Sequence, residues 1–142
     1  MYQRDYILRM IEMLAELVAG ILGLIRKGDY KRASQSIDHA YQDLLKQDAG
    51  FFDKIPLNQL TDSLVQEHNY TNGHLEILSE LIYSQAELFY AQKNYNKSLE
   101  YYQKSRFLLE FIIKDTQSFS IEKQSRLSYL ENRMAELENE AH

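Results

Sequence analysis

The sequence predicts an all-α protein forming a single domain, residues 1–142. Three observations carry that prediction. Apolar residues recur three and four apart in several separate stretches, the period of an amphipathic helix. Five glycines and one proline leave little material for β-turns or a glycine-rich phosphate loop. There is no cysteine, which excludes a disulfide scaffold, a thiolate metal site and a cysteine nucleophile. A chain of this length buries about two-thirds of its unfolded surface, enough for a core without such staples. The net charge is −5, from 16 basic and 21 acidic residues spread evenly along the chain. A nucleic-acid binder needs a basic stripe for the phosphates, so no nucleic-acid partner is expected.

The first element spans residues 4–27. Asp5, Arg9, Glu12 and Glu16 make a narrow polar stripe, and nearly every other position is apolar. A surface helix has one apolar stripe rather than a collar, so this helix must be covered on more than one side. The apolar run 10–25 is shorter than the ~20 residues a bilayer needs. Glu12 and Glu16 also interrupt it where a signal peptide would be apolar. A buried helix in a cytoplasmic protein without a membrane partner is the expectation.

Lys27-Gly28-Asp29 ends that helix, glycine permitting a left-handed cap and Asp29 an N-cap. The second element, 30–46, carries Ala33, Ile37, Ala40, Tyr41 and Leu44 on one face, and Gly50 is expected to close it. Residues 47–72 link the two halves, with a short helix near 56–66 opened by Pro56 and a polar turn at 68–73. A third helix spans 73–92 and a fourth 95–114, separated by Lys93-Asn94. A fifth, 119–140, has only a thin seam of Leu127, Leu130, Met134, Leu137 and, just beyond, Ala141.

Two junctions match. Lys27-Gly28-Asp29-Tyr30 is followed by Ala33 and Ala40, and Lys93-Asn94-Tyr95 by Ser98 and Ser105. In each, a tyrosine opens the second helix and small residues let paired helices approach. The stretch from Ala86, Phe89 and Tyr90 through Tyr95, Ser98, Leu99, Tyr102 and Ser105 resembles the tetratricopeptide repeat, a 34-residue helix hairpin. The resemblance is good over 74–114 and fair over 14–46. It implies a right-handed stack of two hairpins, 4–46 and 73–114, with an inserted short helix and a capping helix at 119–140. The junctions stand 65 residues apart, not a whole number of repeats, and Gly20-Ile21 departs from the family's large-then-small pair. The opening Tyr2-Gln-Arg-Asp-Tyr-Ile-Leu-Arg-Met-Ile-Glu is similar to a small bacterial family of such proteins without assigned activity.

Catalytic and metal signatures are missing from the sequence. The four histidines, His39, His68, His74 and His142, show no i, i+3 or i+4 pairing. No H-E-x-x-H, G-x-S-x-G or P-loop pattern occurs. His68 and His74 share a polar loop with Glu67 and read as solvated rather than metal-binding. Glu12 and Glu16 read as a solvent edge offset by Arg9, not as an acid–base pair. Arg26, Lys27, Lys31 and Arg32 read as a solvated cluster that complements a helix C-terminus. No cofactor, metal or enzymatic activity is expected.

The expected function is that of a non-catalytic interaction module or adaptor. Glu80, Tyr83, Glu87 and Tyr90 share one helix face opposite the apolar stripe. The family resemblance implies that this face lines the concave surface receiving a partner. Two carboxylates interleaved with two tyrosines suit a basic, arginine-bearing segment. The basic and asparagine clamp that holds terminal carboxylates in some family members is missing, so an acidic C-terminal peptide is not the expected ligand. A second expectation is a homodimer through Ala15, Val18, Leu22 and Ile25, with Leu14, Leu17, Ile21 and Leu24 serving the hairpin core. Ala15, Ala19 and Gly23 would provide a small-residue track for the second helix. Segment 119–140 is the alternative cover. A structural homo-oligomer without another ligand and a small-ligand carrier are the alternative functions.

Overall fold

The computed structural model describes residues 2–117 and 119–140, with side chains described over 5–117 and 119–139. Among these residues it contains helices and no strand: α1 (Tyr2–Arg26), α2 (Tyr30–Ala40), α3 (Ala49–Asp53), α4 (Leu60–Asp62), α5 (Asn72–Ala91), α6 (Tyr95–Thr116) and α7 (Ile121–Glu140). A π-helical turn, Tyr41–Leu45, prolongs α2. A 3-10 turn (Leu57–Gln59) and a π turn (Ser63–Glu67) flank α4, so residues 57–67 form one irregular helix close to the short helix expected there. Among the described residues no helix is long and apolar enough to cross a membrane. His142 and Ala141 lie outside the described residues.

Helix α5 is the axis of the molecule. Ten of its residues are buried, from Leu75 to Leu88, and it packs against α6, α1 and α2. Ile7 of α1 meets Gly73, one cleft joins residues 6–11 to 72–76, and the next joins Ile11, Leu14 and Ala15 to Glu76, Ser79 and Glu80. Residue numbers rise together, so α1 and α5 run parallel. The pairs Glu76–Lys123, Glu80–Arg126 and Glu87–Tyr129 rise together too, so α7 is parallel to both. Helices α2 and α6 return in the opposite sense, as short turns require.

The two matched junctions share one geometry. Gly28 donates to the Ile25 carbonyl and Asp29 to that of Leu24, while Lys93 donates to Tyr90 and Asn94 to Phe89. This is the Schellman pattern at both ends, with Gly28 at φ +79° and Lys93 at φ +63°. The small residues lie where the helices press together. Ala33, Ala40, Ser98 and Ser105 are all buried. Ser98 donates to the Ala86 carbonyl at 2.9 Å, and Ser79 and Ser105 donate reciprocally to each other's carbonyls at 3.0 Å. A buried hydroxyl needs a partner, and these serines find theirs in the facing backbone.

The linking segment departs from expectation around Gly50, where α3 forms although no helix is expected there. Gly50 does not end the second helix. Lys46 does, at φ 58°, and Gly50 lies within α3 behind an Asp48 cap. The segment is pinned by aromatic rings: Phe52 lies 5.6 Å from Tyr41, Phe51 lies 5.0 Å from Phe52 and from His68, and Tyr70 stacks on His74 at 5.0 Å. Asp53 then accepts from Tyr101 of α6 at 2.8 Å.

The start of α5 yields two predictions. A Cβ on Gly73 would collide with the branched Ile7 methyl, so Gly73→Ala should lower stability by about 1–3 kcal/mol. In a denaturant titration, Ile7→Ala in the same chain should remove most of the additional loss. His74 closes a capping box, its Nδ1 accepting from the Thr71 N–H at 3.1 Å. Burial lowers the pKa of His74 below 6.5, so the folded chain favours the neutral ring and the unfolded chain binds the proton more readily. Its contribution to stability is therefore present above about pH 6.5 and lost as pH falls through the folded value. His74→Gln keeps an acceptor without titrating. Unfolding curves between pH 7.5 and 5 should be flatter for that variant than for the natural chain.

Candidate functional site

Glu80, Tyr83, Glu87 and Tyr90 do share one face of α5, because their spacing of three, four and three follows the helical turn. The face is covered. Helix α7 lies along it, and its side chains answer those of α5 in order.

Arg126 sits at the centre of the contact. Its Nε and Nη2 each donate to Glu80 at 2.9 Å, a bidentate fork, and its guanidinium stacks on the Tyr83 ring 3.8 Å from the centroid. Burial pulls the pKa of Arg126 down, but the hydrogen bonds and charge of Glu80 outweigh it, and the net shift is upward. One turn on, Glu87 Oε1 accepts from Tyr102 of α6 at 2.7 Å and from Tyr129 of α7 at 2.5 Å. Burial and that carboxylate push both phenols up, so they remain hydroxyl donors. Arg133 donates to the Tyr129 hydroxyl at 2.6 Å and stacks on Tyr90 at 3.8 Å. Its Nε is buried without a partner, so this end is less completely satisfied than the Arg126 end. Lys123 adds an ion pair to Glu76 at 3.7 Å. Apolar contact comes from Leu130, Met134 and Leu137, all buried.

The sequence reading treats Tyr83 as an exposed groove residue. The structure corrects this: Tyr83 is 4% exposed, with Tyr129 edge-on at 5.8 Å and Arg126 above it. The physical reason lies in residues that the reading left unassigned. Arg126, Tyr129 and Arg133 flank the thin apolar seam of α7 and widen it, setting two guanidinium groups over the tyrosines of α5 and a phenol edge against Tyr83. Their spacing of three and four matches that of the α5 residues, and the charges are opposite. That complementarity was the available signal.

The second set of expected residues is split. Val18 and Ile25 are buried at 3% and 9% exposure in the core, Leu22 is half-buried and Ala15 is exposed. The core face of α1 is Met10, Leu14, Val18, Ile21 and Ile25, turned about one residue from the expected face, while Leu17 and Leu24 are only half-buried. The structure therefore corrects Val18 and Ile25 from a self-association face to core. The small-residue track is open: Ala15 and Ala19 are exposed, and a Cβ on Gly20 or Gly23 would meet nothing within 4 Å. Glu12, Glu16, Arg26, Lys27, Lys31 and Arg32 are all exposed. His68 packs on Phe51 while His74 caps α5, and no metal-ligating group of three gathers among the described residues. A cleft of about 1240 Å³ opens beside Ile7, Met10, Leu45 and Ile112 at the other end of α5 from Arg133.

Scans of family models, curated proteins and solved structures return no match to this chain.

Tyr83→Ala should cost about 3–5 kcal/mol, as for other buried aromatics, whereas the near-isosteric Tyr83→Phe should cost less than about 1.5 kcal/mol. A double-mutant cycle of Glu80→Ala and Arg126→Ala should return a coupling of about 1–2 kcal/mol, the fork being strong but partly solvated. Both are read from chemical denaturation.

Proposed function

We propose that the chain is a non-catalytic protein-interaction module whose α5 face recognises an arginine-bearing amphipathic helix. The observation that supports this reading is the seat of α7: Arg126 forked on Glu80 and stacked on Tyr83, with Arg133 stacked on Tyr90. The acidic and aromatic face has a chemical preference, and α7 exemplifies the segment that satisfies it. The tetratricopeptide-like right-handed stack is part of the same proposal. Two matched turns and three parallel helices suit it, and in it α5 lines the concave side. A partner has to compete with a helix held in the same chain, whose effective concentration is on the order of millimolar. Such a module binds weakly until α7 is loosened.

The test uses the full chain with Arg126→Ala and Arg133→Ala, which weakens the hold of α7 without altering the α5 face. A synthetic peptide of residues 119–140 should bind this variant at least about tenfold more tightly than it binds the natural chain. A peptide lacking both arginines should not bind. Fluorescence anisotropy reads both. Equal binding of the two peptides, or no binding by either, rules the proposal out.

A further inference from the structure

We infer that the occupant of the α5 face in solution includes the α7 of a second copy: two chains exchange their C-terminal helices, with Phe119 of each at the two-fold axis. This rests on the reading that α5 receives an arginine-bearing helix, and it names the partner that supplies one.

Three observations point to the exchange. The first is the reversal that joins α6 to α7. Residues 115–123 contain neither glycine nor proline. Gln117 makes the turn by adopting φ 53°, ψ 33°, a left-handed conformation that is costly for a residue with a side chain. Straightening the chain here returns Gln117 to the right-handed helix.

The second is the phase of the two helices. Numbered as one uninterrupted helix, the buried positions Ser105, Leu108 and Ile112 of α6 fall on the same face as Leu130, Met134 and Leu137 of α7. Phe119 falls on that face too, seven residues after Ile112 and eleven before Leu130, both whole numbers of turns to within 20°. Separate helices have no reason to keep a common phase across a loop; one continuous helix does. In the hairpin Phe119 is 75% exposed and nearby Ile121 81%, the highest values among the large apolar residues described.

The third is that the contacts of α7 with α5 and α6 are made by side chains, such as Glu80–Arg126, Glu87–Tyr129 and Arg106–Glu131. A second copy makes the same set. In a straight α6–α7 helix, α7 leaves its own α5 and runs antiparallel along α6 of the other chain, which reciprocates. The arrangement closes as a two-fold dimer and sets Phe119 against its copy, removing two exposed rings from water.

The experiment exploits the Lys123–Glu76 ion pair, 3.7 Å apart. Equal amounts of 15N-labelled and unlabelled full-length chain are unfolded together, refolded at high-micromolar concentration, separated by size and joined with a carbodiimide. Exchange predicts a dimer in which about half of the Glu76–Lys123 linked peptides pair one light with one heavy chain, as random assortment requires. Gln117→Gly, which relaxes the turn and disfavours the straight helix, should lower the dimer about tenfold. Phe119→Ser should do the same without loss of helicity. Linked peptides of a single isotope in every fraction would overturn the exchange while leaving the α5–α7 contact intact. Absence of that link from every fraction would overturn the reading of the face itself. A mixed-isotope dimer untouched by Phe119→Ser would overturn the placement of the axis.

Discussion

Pairing a row of half-buried carboxylates is what the rest of this structure has to accommodate. Helix α5 lies at the centre of the molecule, yet it carries Glu76, Glu80 and Glu87 along the face that α7 covers. A charged group withdrawn from water must be paired and hydrogen-bonded. Each of the three finds a different solution: an ammonium for Glu76, a bidentate guanidinium for Glu80, and two phenols for Glu87. The orientation of α7 follows. It runs parallel to α5, the sense that aligns Lys123, Arg126 and Tyr129 with their acceptors in order. Tyr102 extends the same requirement into α6, so the polar network ties three helices at one carboxylate.

Much of this was legible in the sequence, and for identifiable reasons. Helix period and turn chemistry are local, so α1, α5, α6 and α7 fall close to where the pattern places them. The chemical preference of Glu80, Tyr83, Glu87 and Tyr90 was legible as well, since an acidic and aromatic face calls for arginine. Which arginine answers is a tertiary fact. Arg126 and Arg133 stay unassigned in the sequence because a periodic pattern describes one helix and says nothing about the element lying against it.

Helix α1 shows the complementary failure. Consecutive residues on a helix point about 100° apart, so the choice between Val18 and Leu17 as a core residue depends on the direction from which α5 approaches. At one end of that contact Gly73 lets Ile7 come close. A collar of apolar residues offers several equivalent faces, and sequence alone does not rank them. In the linking segment a similar ambiguity attached to Gly50: glycine permits a left-handed cap without requiring one, and Lys46 adopts that conformation instead.

The chain has eleven tyrosines and no tryptophan, which gives the α5–α7 contact an optical signature. Tyrosine is the only strong emitter present, and a phenol hydrogen-bonded to a carboxylate loses much of its emission. Tyr102 and Tyr129 are both held in that way by Glu87, while Tyr83 and Tyr90 lie flat under guanidinium groups. Four of the fluorophores therefore gather at one contact, and lifting α7 separates Tyr83, Tyr90 and Tyr129 from their partners at once while Tyr102 keeps its bond to Glu87. The seat of this helix is its own reporter, readable in the near ultraviolet without a label.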